Sequence, residues 1–266
     1  YGVDCGPGGE YVTSGRKEAF DTCLRAHVDE LAGAFVEADV DEDADLKQEA
    51  DAIRAADAAA AAREAAAAIG MDALASNWPQ LAAAWRQRQL SYSWLRTTMQ
   101  RYTDFWTITQ NALDVTMAEM GIEDAAMRET LLSLYTTLSA YDEVPAVLRD
   151  LAARGEGTGV LSNGSPAMLD SALGAAGIAD SLDQVLSVDS LRLYKPDPAV
   201  YRLVTDAFGC TSAEVTFYSS NNWDVAGAGS FGFHTIWVNR AGKLWDDLPE
   251  PPAHQVSSLA EAMRLL

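Results

Sequence analysis

The sequence predicts an α/β protein: a Rossmann-like parallel sheet core carrying an inserted helical cap. Two observations carry that reading. From Val144 onward, short apolar runs alternate with segments of helical character, and from Trp78 to Leu138 the pattern is helical with no strand interrupting it. Alternating strands and helices imply a parallel sheet with helices on its faces. The organisation read from this is an atypical N-terminal segment (1–69) that joins the core, a helical cap (70–140) and a Rossmann-like core (141–266). With 266 residues, 48% of them hydrophobic, the chain is long enough to bury such a core.

The N-terminal part is the least patterned. Phe20, Leu24, Val28, Leu31 and Phe35 fall at weak helical spacing between Glu18 and Val36. Between Glu37 and Asp57 stand nine acids against two bases, Lys47 and Arg54, which reads as a solvated face. Asp39, Asp41, Asp43 and Asp45 lack the glycine and the distal Glu of a calcium-binding EF-hand loop. Asp57 to Ile69 is almost all alanine, which favours helix.

In the cap block, Leu81, Trp85, Tyr92, Leu95 and Met99 recur at helical intervals and are expected to share one buried stripe. Tyr102–Met120 and Ala125–Leu138 read as two further helices. In the core, Gly159-Val160-Leu161 ends a strand, and Ser165 with Pro166 opens a helix. Gln184–Val188, Val215–Tyr218 and Thr235–Val238 read as strands. Helices follow over Ala199–Phe208, Trp223–Ser230 and from Ser257 or Ser258 to Leu266.

Composition removes several function classes. The net charge of −20 repels phosphate backbones and anionic lipid, so neither nucleic acid nor membrane is expected as a partner. Three cysteines and three histidines show no metal-type spacing, no cofactor is implied, and the cysteine usage suggests a reducing, cytoplasmic setting.

In parallel sheets ligands gather at the carboxyl ends of the strands. Three polar clusters fall there: Ser162-Asn163-Gly164, Tyr194-Lys195-Pro196-Asp197, and Ser219-Ser220-Asn221-Asn222-Trp223-Asp224. Singly, each reads as turn or capping chemistry, and Asn222 is expected to cap the helix that follows. Together they bring a hydroxyl, an ammonium, an amide and a carboxylate to one edge.

These clusters, with Tyr201, resemble the second, third and fourth motifs of the L-2-haloacid dehalogenases of the haloacid dehalogenase superfamily. The run Trp85-Arg86-Gln87-Arg88-Gln89-Leu90-Ser91-Tyr92-Ser93-Trp94-Leu95-Arg96 is similar to that family's cap helix, and the likeness extends over roughly Arg63 to Leu266. The resemblance implies hydrolysis of a short 2-haloacid: an aspartate carboxylate displaces halide from C2, and water then cleaves the ester to give the inverted 2-hydroxy acid. It implies that Arg86 and Asn221 receive the halide and that Phe105 and Trp223 wall the pocket. Ser162 and Asn163 would face the substrate carboxylate. Lys195 would orient the nucleophile with help from Tyr201 and Ser219, and Asp224 would place Lys195 or the hydrolytic water. A homodimer through the cap stripe, including Trp94, Leu95 and Met99, is also implied. Phosphatases of the same superfamily need several carboxylates as hard oxygen ligands for Mg²⁺; here Ser220 and Asn221 occupy those places, so no metal is expected.

The first motif is missing. Counted back from Arg86, its place falls near Ala55, within Gln48-Glu49-Ala50-Asp51-Ala52-Ile53-Arg54-Ala55-Ala56-Asp57, which reads as helix and so cannot supply a central strand. Asp51 and Asp57 lie nearest that place. Asp21 has the best local match in Phe20-Asp21-Thr22, and Asp39 follows the short apolar run Ala34-Phe35-Val36. The alternatives to a dehalogenase are a phosphatase of the same superfamily and a homologue that binds without turnover.

Overall fold

A computed structural model describes residues 34–38, 72–136 and 139–265. The expected alanine-rich helix, the acidic run beyond Ala38 and Asp21, Asp39, Asp51 and Asp57 lie outside the described residues. The six-stranded sheet has the order β3-β2-β1-β4-β5-β6. Its strands are β1 (Ala34–Ala38), β2 (Gly157–Ser162), β3 (Gln184–Ser187), β4 (Val215–Ser219), β5 (His234–Val238) and β6 (His254–Val256).

Strands β2 and β3, β4 and β5, and β5 and β6 pair in parallel, as strand–helix alternation requires. The central strand departs from the expectation. Ala34–Val36, read from sequence as the end of a weak helical run, and Glu37, read as the start of the acidic one, lie in β1, which is antiparallel to both β2 and β4. Phe35 and Val36 are residue types suited to a strand flanked on both sides, and tertiary pairing outweighs a weak local helical pattern. The central position is therefore filled, but not from residues 48–57 and not in the parallel sense.

Helices α1 (Asp72–Met99), α2 (Phe105–Glu119) and α3 (Ala125–Ser133) make up the cap region, and a 3-10 turn over Leu134–Thr136 ends it. Asp104 and Asp124 start α2 and α3, each accepting a backbone N–H three residues on, from Thr107 and Met127. That capping moves the start of α2 from the expected Tyr102 to Phe105. In the core, α4 (Val144–Arg154) precedes β2, while α5 (Pro166–Ala176), α6 (Pro198–Phe208) and α7 (Asn222–Phe231) follow β2, β3 and β4; α8 (Leu259–Ala262) closes the described chain. Ser165-Pro166 and Asp197-Pro198 start α5 and α6 with a capping side chain and a proline whose fixed φ suits the first turn.

The sheet separates two apolar clusters because successive strand side chains point to opposite faces. Leu161 and Phe217 join the cap-side cluster with Leu81, Trp85, Phe105, Ile108, Leu113 and Tyr201. Val160 and Tyr218 join the other, with Leu148, Leu169, Ile236 and Leu259.

One expectation for the cap is corrected. Leu81 and Trp85 are buried, but Leu95 and Met99 are 55% and 58% exposed. At about 100° per residue, Leu90, Ser93 and Thr97 lie on one side of α1, and Leu95 and Met99 lie nearly opposite. The buried face turns from α2 toward the core along the helix, so the regular spacing of the apolar residues carries its last two members outward.

Candidate active site

The site is built where β2, β3 and β4 end. Ser162 and Ser219 are the last residues of β2 and β4, and both are buried. Ser162 Oγ accepts the N–H of Gly164 at 3.0 Å, turning the chain toward α5. Asn163 Oδ1 accepts the Lys195 N–H at 3.1 Å, which ties the loop after β2 to the loop before α6.

The centre is a closed ionic cluster. Lys195 Nζ stands 2.9 Å from Asp224 Oδ2, with both side chains 3% exposed. The Tyr201 hydroxyl donates to Asp224 Oδ1 at 2.8 Å, and Ser219 Oγ donates to Asp224 Oδ2 at 3.1 Å. A buried charge pair is tolerated only when its remaining lone pairs are satisfied, and Asp224 receives three donors. Burial, reinforced by the neighbouring Asp224 charge, pushes the Tyr201 hydroxyl well above the usual tyrosine range, so it stays protonated and donates. The ammonium also lies 5.2 Å from the centroid of the Phe217 ring.

The cap meets this cluster at Arg86, whose Nη2 donates to Asn221 Oδ1. Asn221 caps α7 by backbone position, while its own N–H donates to Ser219 Oγ at 3.2 Å. Asn222, expected to cap, is instead the first helical residue; its Oδ1 accepts the Trp223 N–H at 2.8 Å. A continuous chain of contacts therefore runs from Arg86 through Asn221, Ser219 and Asp224 to Lys195 and on to Asn163. Trp223 packs edge-on against Trp94 of α1 with ring centroids 5.6 Å apart, a cap–core contact that the sequence did not signal. Both indole N–H groups are buried with no acceptor among the described residues. Phe105 lies fully buried, 5.9 Å from the Tyr194 ring centroid.

Sequence reasoning also missed Gly227. A Cβ there would fall 2.4 Å from the Tyr201 hydroxyl and 2.7 Å from Pro196 Cβ, so α7 can seat Asp224 against Tyr201 only with glycine at this position. No pattern of residue types marks such a site; only the packing does.

For the nucleophile, strand direction matters. Ala38 pairs with Gly157 and with Val215, the first residues of β2 and β4, whereas Ala34 pairs with Leu161. The C-terminal end of β1 therefore lies at the end of the sheet opposite Ser162 and Ser219. Among the described residues, Asp224 is the carboxylate within this contact chain.

Residues 12–232 match the family model for haloacid dehalogenase-like hydrolases, and the chain belongs to that class. Within it, the chain is 46% identical over 188 residues to (S)-2-haloacid dehalogenase 1 of Pseudomonas sp. strain CBS-3, covering 70% of this chain and 83% of that one. It superimposes on a crystal structure of a dehalogenase with an intermediate complex at a TM-score of 0.72, with 41% identity over 78% of this chain and 90% of the other. The L-2-haloacid dehalogenase of Xanthobacter autotrophicus with chloropropionic acid covalently bound gives a TM-score of 0.68 and 33% identity over 77% and 92% of the two chains. The chain is a member of the L-2-haloacid dehalogenase family.

Proposed function

We propose that this protein hydrolyses short L-2-haloacids to 2-hydroxy acids through a carboxylate ester. A carboxylate of the protein attacks C2 as halide departs with its electron pair; water then adds to the ester carbonyl, releasing the inverted 2-hydroxy acid and regenerating the carboxylate. A halide leaves without a proton, so the site must supply donors rather than an acid. Arg86 and Asn221 take that part, Ser162 and Asn163 face the substrate carboxylate, and Phe105 and Trp223 bound the pocket. Lys195 neutralises the attacking carboxylate, and Tyr201, Ser219 and Asp224 hold Lys195 in place.

The observation that carries the reading is the Arg86–Asn221 contact, which sets a cap guanidinium directly on the core's polar edge. The names of the relatives support it. Chloride release from L-2-chloropropionate is expected, insensitive to EDTA and lost in Arg86→Ala. Absence of halide release from every short 2-haloacid tried would overturn the reading.

The exposed side of α1 carrying Leu95 and Met99 suits a second copy of the chain, so a homodimer is the proposed assembly. Sedimentation at micromolar concentration is expected to give the dimer mass, and a monomer there would reject it. No helix among the described residues is long and apolar enough to cross a membrane. Cys210 is a free thiol, in keeping with the proposed cytoplasmic setting.

A further inference from the structure

The loop that carries Lys195 is held from the cap as well as from the core. At the last turn of α1, Thr97 Oγ1 accepts the Tyr194 N–H at 3.1 Å. In the connection between α1 and α2, the Thr103 carbonyl accepts the Tyr194 hydroxyl. The Tyr194 ring, fully buried, stacks on Tyr102 with centroids 5.3 Å apart and planes at 26°. Tyr102 in turn donates to the Asp189 carboxylate in the same core loop, and the Arg192 guanidinium lies over its ring at 5.4 Å. One residue beyond Tyr194, the Lys195 N–H is held by Asn163. The backbone that launches the lysine is therefore fixed on one side by the cap and on the other by β2.

We propose that Thr97 and Tyr194 are positioning residues for Lys195, through which the cap sets where the ammonium stands. Lysine has a long flexible stem and loses much rotamer freedom when its head is fixed. Holding its backbone reduces the number of stem conformations that reach Asp224 and the reacting carboxylate. A displacement of about 1 Å in such a group costs up to about 100-fold in rate. Thr97 is suited to this part because its neighbours Leu95 and Met99 point away from the core, leaving its hydroxyl as a contact between α1 and this loop. Tyr194 contributes at two points, and burial, with Tyr102, Asp104 and Asp189 nearby, keeps its hydroxyl protonated far above the usual range.

The proposal rests on the dehalogenase reading for its rate measurement, and a spectroscopic arm separates the two. Thr97→Val keeps the shape and removes the acceptor, Thr97→Ser restores it, and Tyr194→Phe removes the hydroxyl that meets Thr103 and Tyr102 while keeping the ring. With L-2-chloropropionate, Thr97→Val is expected to lower kcat about 10-fold while KM stays within about 2-fold, and Thr97→Ser to recover wild-type kcat within about 2-fold. Tyr194→Phe is expected to lower kcat about 3-fold. A Thr97→Val enzyme with wild-type kcat, or a Thr97→Ser enzyme as slow as Thr97→Val, overturns the proposal. If the wild type releases no halide, the dehalogenase reading has failed on its own, and nuclear magnetic resonance of the Lys195 ammonium, assigned by its loss in Lys195→Arg, decides. An ammonium signal shifted in Thr97→Val and restored in Thr97→Ser supports positioning. A signal unchanged in Thr97→Val overturns it.

Discussion

The two halves of the site are built differently. In the Lys195 half the polar groups meet inside the core, where an ammonium, a tyrosine hydroxyl and a serine hydroxyl converge on one buried carboxylate, and the cap touches only the backbone and Tyr194 beside them. The Arg86 half spans the seam between cap and core, where a guanidinium on α1 reaches an amide at the start of α7. The first half is over-determined and belongs to the folded core. The second joins two regions, with Arg86 on α1 and Asn221 at the start of α7. Loss of a core member should therefore cost stability and activity together, and loss of the seam member should cost activity alone.

The largest expected effect is that of Lys195→Met, which strands the Asp224 charge in the interior. Breaking a buried pair by removing one partner costs about 3–5 kcal/mol, to be read as a lowered urea midpoint together with lost turnover. Arg86→Ala is expected to lower kcat at least about 100-fold, the scale for a single anion-stabilising donor, with the urea midpoint nearly unchanged. A large stability loss in that variant would erase the distinction between the halves. Gly227→Ala should destabilise by about 1–3 kcal/mol, because its methyl group must push Tyr201 or Pro196 aside.

Tyr201→Phe is expected to cost about 1–2 kcal/mol near neutral pH, the price of leaving one Asp224 oxygen short of a donor. It should also change the alkaline behaviour. Burial raises the folded-state pKa of Tyr194 and Tyr201, so between the ordinary tyrosine value and the folded value the unfolded chain has released a proton that the native state retains. Stability is then flat in this respect below about pH 10 and falls above it, by about 1.4 kcal/mol per pH unit for each such tyrosine. Urea midpoints at pH 9, 10 and 11 should show a shallower decline in Tyr201→Phe than in the wild type.

Most of the core was legible because local chemistry and global fold agree there. Pro166 and Pro198 behind their caps mark boundaries that the structure keeps within a residue or two. The edge strand β6, three residues long, left no such mark. The central strand was not legible for a different reason. Ala34–Ala38 gains its structure from β2 and β4, far away in sequence, and a five-residue run carries no sign of strand direction. In the site, Lys195, Tyr201, Ser219, Asn221 and Asp224 were found because strand ends gather polar side chains. The structure adds their partners: Tyr201 and Ser219 grip Asp224, and Trp94 meets Trp223. Gly227 and Thr97 were invisible, since a missing side chain and a lone hydroxyl acquire meaning only from what packs against them.

The proposed reaction stands or falls on the ester. A single turnover of L-2-chloropropionate by excess enzyme in water enriched in oxygen-18 tests it directly, followed by mass mapping of the acid-containing peptides. If a protein carboxylate attacks C2, the label enters that carboxylate and the first 2-hydroxy acid formed carries none. Label in the first product, with every peptide unlabelled, would mean that water attacks C2 itself and would contradict the account.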